Sequence, residues 1–480
     1  MNKYKKLASN TIVLAVGQFG SKLLVVVLMR FYQSVLGQEG YGEIGTIIDT
    51  ATLLISLATL SIGESVIRFG LDNAYDKSQV FSIGIKVTVL GSGFCYLIIP
   101  IIGGLVGILP ENNVITLLNE YSVITAVYVM TGSMKSTCAL FVRSKGNVRL
   151  YAVDGIFTTI MNILFNLLFL LVFKMGNMGY LLSVICADVC SVLFLTYMGR
   201  LTKYFILFGV NKRLRRAMLR FAIPMIPTTV MWWIINVSDT FFVSEMLGFT
   251  QSGIYKAAYR LPNMIALLSG IFSQAWNMSA IKEKNSRTVA NFYTNVFSAF
   301  QSFVFVVGAG MLLLIKPVIS LICDTPFHIA YIYTPFLVMA VVYSCFVTFM
   351  GSVYVVSKQS KRSMVTTAVG AAANIGLNAL LIPLIGIHGA AIATCVSYLA
   401  VFYIRVVDTK KFVYMNVHLH KLITNTISLL AMGFVILFCK NQIVFYSVLA
   451  AIFIFVVFVN YRACIKMVKL VLGKGKQRKG

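Results

Sequence analysis

Apolar runs of about 20 residues follow one another along the whole chain, separated by short loops rich in Lys and Arg. A helix needs a run of that length to cross the hydrocarbon of a bilayer. Fourteen such runs are read, near residues 10–31, 42–67, 82–104, 114–140, 152–173, 179–198, 217–239, 253–278, 289–315, 331–356, 364–384, 389–407, 421–439 and 443–461. Lipid offers backbone groups no hydrogen-bond partner, so a spanning segment is either a helix or part of a closed barrel. Barrel strands alternate apolar and polar residues, and these runs do not. The expected fold class is therefore all-α integral membrane, with fourteen transmembrane helices read from these runs.

Charge placement supports a membrane setting. Only 12% of the residues are charged, against about 25% in a soluble domain. A net charge of +26 would suit nucleic acid, but the cations sit in short clusters between apolar runs, where cytosolic loops of membrane proteins collect them. With the first residues in the cytosol, 32 of the 41 basic residues fall in cytosolic segments, Arg405 among them. Three, Lys174, Lys316 and Lys440, fall in outer loops. Both termini are expected to be cytosolic, and no nucleic acid is expected as a partner. The longest loop, 199–216, is basic and amphipathic and is expected to lie on the inner membrane surface.

Little in the sequence suggests catalysis. The Cys residues lie almost all inside apolar runs and form no CxxC pair. Buried Cys behaves as a small hydrophobe, so no metal or other cofactor is expected. His388 sits in a tight turn, and His418 and His420 lie in a polar loop. No loop has room for a soluble catalytic domain, and no set of residues meets the geometry of an active site. The expectation is a transporter, not an enzyme.

The chain repeats itself. Leu36-Gly37 leads through Gly42 into the second run, and Leu247-Gly248 leads through Gly253 into the eighth, 211 residues later. The fifth run carries Asp154, Thr158, Asn162 and Asn166 at intervals of four; the eleventh carries Thr366, Gly370, Asn374 and Asn378, 212 residues on. Ser144-Lys145 and Ser357-Lys358 are 213 residues apart. The offset covers six runs, an even number, so the halves enter the membrane in the same sense, as parallel repeats. The expected layout is an N-terminal bundle over 1–205, a C-terminal bundle over 206–410, and a further pair of helices with a basic tail over 411–480. The two bundles are expected to enclose a central cavity.

Three segments carry a resemblance. Asp239, Leu247-Gly248 and the stretch Ser252-Gly253-Ile254-Tyr255-Lys256-Ala257-Ala258-Tyr259-Arg260-Leu261 resemble the seventh and eighth spans of bacterial polysaccharide flippases. Gly386-Ile387-His388-Gly389-Ala390-Ala391-Ile392-Ala393-Thr394, following Asn374 and Asn378, is similar to their eleventh-to-twelfth hairpin. Leu36-Gly37 with Tyr41-Gly42 is similar to their first hairpin. These are the Wzx-type O-antigen and capsule repeat-unit flippases of the MOP superfamily, which also holds MATE exporters and lipid II flippases. The resemblance implies a MATE-like fold in a bacterial plasma membrane. It implies as substrate an undecaprenyl-diphosphate-linked oligosaccharide, moved to the outer leaflet by alternating access. Polysaccharide polymerase and assembly proteins are the partners it suggests, besides the membrane lipids. A MATE-like drug or cation antiporter and a lipid II flippase are the rival readings.

Ionisable groups inside spans are costly and tend to face cavities or partners. Lys22, Arg30, Lys135, Lys256 and Arg260 are the candidate cations for holding a diphosphate, Arg because its planar fork matches phosphate oxygens. Placement of the first, second, seventh and eighth spans around a cleft comes from the resemblance. Asp49, Asp154 and Asp239 are candidates for gating or for a proton or sodium relay. An internal salt bridge remains the structural reading of these charges. The asparagines at 162, 166, 374 and 378 are read mainly as helix packing.

Overall fold

The computed structural model describes residues 28–72, 74–106, 113–282, 289–357 and 359–471. Among these, the regular elements are helical. In chain order they are α1 Met29–Ala58, α2 Ile62–Leu71, α3 Lys77–Val106, α4 Asn113–Glu120, α5 Ser122–Ser144, α6 Val148–Asn166, α7 Gly176–Met198, α8 Lys212–Ala222 and α9 Ile226–Leu247. They continue with α10 Phe249–Arg260, α11 Pro262–Lys282, α12 Val289–Leu313, α13 Ile315–Ile322, α14 Thr334–Val356, α15 Ser360–Ile385, α16 Ile387–Thr409, α17 Leu419–Phe438 and α18 Gln442–Val471.

Ten of the described helices are long and apolar enough to cross a membrane, or up to twelve if each of two bent pairs is one span. The pairs are α1 with α2, turned by 54°, and α4 with α5, turned by 70°. Left-handed Leu60 and Ser61, with φ of 49° and 53°, make the first bend. The expected fourteen are not all found among the described residues. The run near 10–31 lies largely outside them. The run near 253–278 is divided: helix α10 ends at Arg260 and α11 begins at Pro262. Proline lacks an amide donor and pushes the residue before it out of the helical region. Lys256 and Arg260 also reduce the apolar character of this run. The multi-span helical membrane fold therefore stands, with fewer uninterrupted spans than the hydrophobic runs suggest.

Glycine marks both of the paired turns read in the sequence. Gly37 interrupts α1 with φ 68° and ψ −175°, and Gly248 ends α9 with φ 87° and ψ 167°. Both backbones lie where only glycine goes without steric cost. Later in each half, left-handed Lys174 (φ 51°) follows α6 and its π-helical last turn Leu167–Val172, and Gly386 (φ 61°) follows α15.

The chain divides into two compact units, Met1–Trp233 with Val243–Gly253 and Ile234–Phe242 with Ile254–Gly480. The first is organised around Val66, Phe81, Phe141, Leu195 and Met218, contributed by α2, α3, α5, α7 and α8. In the second, α14 is buried along most of its length against α11, α12, α16 and α17. Phe272 stacks on Phe300 and Trp276 on Phe349, at ring separations of 4.5 and 4.7 Å. Helices α17 and α18 also belong to this unit, joined by Asn425 and Asn460, which exchange hydrogen bonds.

Candidate functional site

The second unit buries a carboxylate among neutral donors. Asp239 lies on α9 and is 1% exposed. Tyr255 of α10 donates its hydroxyl to Oδ2 at 2.7 Å, and Asn378 of α15 donates Nδ2 to Oδ1 at 2.7 Å. Thr394 of α16 also donates to Oδ2. A second layer holds the first. Asn374 Oδ1 accepts from Asn378 at 3.1 Å and from Ser238 at 2.5 Å, and Asn374 Nδ2 reaches Thr394 Oγ1 at 3.4 Å. Four-residue spacing puts Asn374 and Asn378 on one face of α15, which is how a single helix supplies both layers. A buried carboxylate is costly unless its oxygens are hydrogen-bonded, and this shell supplies that compensation. It also makes Asp239 a place where a proton or a small cation would change the charge of an otherwise neutral cluster.

The first unit buries an ion pair and a second carboxylate. Lys135 Nζ of α5 lies 2.6 Å from Asp188 Oδ1 of α7. Asp154 of α6, 3% exposed, accepts from Ser191 of α7 at 2.7 Å. One helix turn before Lys135 stands Gly132, where a Cβ would crowd Ile55 Cδ1 at 2.9 Å and only touch Asp188 Oδ2 at 3.6 Å.

The remaining candidates are placed individually. Arg30 is exposed near the start of α1, and Lys22 lies outside the described residues. Asp49 is half-buried on α1, and its carbonyl accepts from Trp233 Nε1 at 2.8 Å. Lys256 is half-buried on α10, and Arg260 is the exposed last residue of that helix. One cation stands elsewhere than expected. Arg405, counted with the cytosolic loop residues, is 1% exposed inside α16. Its guanidinium donates to the Val347 carbonyl at 2.7 Å, to Thr367 at 2.9 Å and to Thr366 at 3.1 Å. Its helix continues to Thr409, two residues past the apolar run that ends near 407.

Residues 7–277 match the family described as polysaccharide biosynthesis protein, more than half of the chain. The chain belongs to that family. The match spans two of the three segments that carry the flippase resemblance and supports a transporter in the polysaccharide branch of the MOP superfamily. No curated protein matches it. Among solved structures, the fold is similar to the lipid II flippase MurJ in an inward closed conformation, at 16% identity and TM-score 0.68, covering 95% of this chain and 100% of that one. It is similar to an inward-facing multidrug resistance MATE family transporter at 14% identity and TM-score 0.67, covering 83% and 95%. A MOP superfamily transporter from Pyrococcus furiosus, described as having a binding pocket of reverse polarity, is similar at 15% identity and TM-score 0.62, covering 85% and 96%. These likenesses concern the fold. Among the described residues, no group of three or more His, Cys, Asp or Glu side chains is arranged to hold a metal ion.

Sequence reasoning singled out Asp239 but not the hydroxyls of Tyr255 and Thr394 that serve it. Those residues lie in segments quoted for the resemblance, and hydroxyls inside spans are too common to be a signal alone. Asn374 and Asn378 do pack across helices, and they do so on a carboxylate. Nothing in the sequence pairs Lys135 with Asp188, 53 positions away.

Proposed function

We propose that this family member flips undecaprenyl-diphosphate-linked oligosaccharide repeat units from the cytosolic to the outer leaflet by alternating access. The observation that carries this reading is the family match over residues 7–277 on a chain with the MOP fold. The proposed architecture is six, six and two spans, with bundles over 1–205 and 206–410, the extra pair over 411–480, and both termini in the cytosol. The matching backbone conformations at Gly37 and Gly248 support the repeat. Lys22, Arg30, Lys135, Lys256 and Arg260 are assigned to the diphosphate, because an anionic headgroup entering a membrane needs cations to offset its lost hydration. For Lys135 this requires release from Asp188, so substrate binding there is an exchange of anions. Asp239 is assigned to ion coupling, with Asp49 and Asp154 as gating or coupling residues. Polysaccharide polymerase and assembly proteins are the proposed protein partners.

Lipid II is the second substrate reading. The favouring observation is coverage: the lipid II flippase covers 95% of this chain, whereas the MATE family transporter and the Pyrococcus furiosus MOP transporter cover 83 and 85%. An additional helix pair would produce that difference.

The test is complementation. Expression in a host lacking its own repeat-unit flippase should restore surface polysaccharide, and Arg260→Ala should reduce it while leaving membrane insertion intact. Full restoration by a well-inserted Arg260→Ala protein would remove Arg260 from the assignment. Rescue only of a host depleted of its lipid II flippase would replace the substrate. Drug resistance without either rescue would overturn the flippase reading.

A further inference from the structure

The basic loop expected at the membrane surface is part of a ledge formed by residues 200–222. Between Asp188 and Asp239 the chain has no acidic residue, while Arg200, Lys203, Lys212, Arg213, Arg215, Arg216 and Arg220 all fall there and are all exposed. Helix α8 holds the densest group. Its buried face, Leu214, Met218 and Ala222, belongs to the core of the first unit, which leaves its cations outside. Asn211 caps the helix by accepting from the amides of Arg213 and Leu214.

The loop leading into α8 is fastened rather than loose. Ser82 donates to the Tyr204 carbonyl at 3.1 Å and accepts from the Ile206 amide at 2.7 Å. Lys86 Nζ donates to the Leu207 carbonyl at 2.8 Å, and Gln79 accepts from the Asn211 amide at 2.9 Å. Lys145 lies 3.9 Å from the centre of the Tyr204 ring. Despite this fastening, Leu207 is 61% and Phe208 82% exposed. Two large apolar side chains are thus held out beside a basic helix.

We infer that this ledge is a binding site for anionic phospholipid headgroups, with Leu207 and Phe208 inserted among the acyl chains and the α8 cations on the phosphates. Apolar projection with adjoining cations is the pattern of an interfacial membrane site. Nucleic acid would use the cations and leave Leu207 and Phe208 in water. The underside of α8 gives the site a consequence. Ser65 of α2 donates to the Met218 carbonyl at 2.7 Å, and Phe221 packs on Phe69 and beneath Arg68. Helix α2 is the shorter arm of a bent pair. Headgroups gathered on α8 therefore hold that arm at the membrane surface. This site is independent of the identity of the transported substrate.

The experiment uses the full chain in nanodiscs of phosphatidylcholine alone or of an equal mixture with phosphatidylglycerol. Retained lipid is read by native mass spectrometry and stability by thermal unfolding. Phosphatidylglycerol should be enriched on the wild-type protein and should raise its unfolding temperature. Each cation near an anionic surface is worth about fivefold in partitioning, so Arg213→Gln/Arg215→Gln/Arg216→Gln should lower the enrichment at least about tenfold. Leu207→Ser/Phe208→Ser should lower retention of both lipids. If the triple variant does not fold, added salt should erase the wild-type enrichment, since exposed charges are screened. Equal retention of the two lipids by the wild type, enrichment insensitive to salt, or equal protection by inorganic phosphate would each overturn the inference.

Discussion

Gly42 and Gly253 stand at equivalent positions of the two sequence halves, and they face each other. A Cβ on Gly42 would lie 2.9 Å from the Gly253 amide nitrogen and overlap the Phe249 carbonyl oxygen. A Cβ on Gly253 would lie 3.2 Å from the Gly42 nitrogen and overlap the Gln38 carbonyl oxygen. The relationship is reciprocal. Close by, Thr46 and Ser244 are 3.2 Å apart, and Ser244 bonds Ser252 at 2.8 Å. Small residues here let two backbones approach, which is how helices in membranes gain dispersion contact.

Gly42→Ala and Gly253→Ala should therefore each destabilise the protein by about 1–3 kcal/mol, as overpacking against backbone does. Gly93→Ala and Gly376→Ala are the controls, because nothing lies within 4 Å of the added carbon at either position. Both are helical, and alanine there should leave stability unchanged or raise it by up to about 1 kcal/mol. Thermal unfolding of the four detergent-solubilised variants decides. Equal behaviour of the two pairs would mean that the close approach does not persist in the folded protein.

The Lys135–Asp188 pair gives a prediction about paired and single removal. Lys135→Met leaves Asp188, 6% exposed, without its cation, and should cost about 1–3 kcal/mol. The Lys135 side chain is 30% exposed, so solvent screening should keep the cost below that of a fully buried pair. Lys135→Met/Asp188→Leu should recover most of the loss, since replacing both partners removes the orphaned charge. Under the proposed function the double variant should still transport poorly. Restored stability with restored transport would make the pair structural only.

Asp239 separates a structural role from a coupling role. Asp239→Asn keeps the shape of the shell but removes the charge and inserts a donor facing Tyr255, Asn378 and Thr394, which themselves donate. Expected is a folded protein whose transport no longer responds to collapse of the proton or sodium gradient. Asn378→Ala should instead weaken the fold by about 1–2 kcal/mol through loss of one donor to a buried carboxylate, while the gradient dependence survives. Flipping assays in proteoliposomes, with the pH gradient, the sodium gradient and the potential removed separately, distinguish these outcomes.

Much of this organisation is legible in the sequence because it depends on local or periodic signals. Apolar run length gives most spans, and Leu36-Gly37 and Leu247-Gly248 mark two turns with positive-φ glycines. The break at Leu261 is foreshadowed by Pro262 following a stretch that already holds Lys256 and Arg260. Asp239 is conspicuous because a carboxylate inside a span needs a reason. What the sequence does not show is who answers each buried group. Asp239 is satisfied from positions 255, 378 and 394, and Asp188 by position 135. No periodicity within one helix encodes such pairings. The burial of Arg405 was hidden for the opposite reason: a cation at the end of a span resembles an ordinary loop residue of the positive-inside kind.

Arg405 leads to the last prediction. Besides its three close bonds, its guanidinium reaches the Ser363 carbonyl at 3.3 Å, so it ties α14, α15 and α16 together at one level. The same three helices are joined beside it. Asp408 of α16 lies 2.6 Å from Arg362 of α15 and accepts from Tyr354 of α14 at 2.9 Å. The Arg362–Asp408 pair is more exposed, and exposed pairs contribute little, about 0–1 kcal/mol. Arg405→Lys should therefore be much more damaging than Arg362→Lys, although both keep the charge. An ammonium cannot spread its donors over Val347, Thr366 and Thr367 in the geometry of a planar fork, and each buried acceptor left without a donor costs about 1–3 kcal/mol. Membrane-inserted yield and unfolding temperature of the two variants provide the comparison. Similar values for both would mean that Arg405 is not the fastening that its buried hydrogen bonds describe.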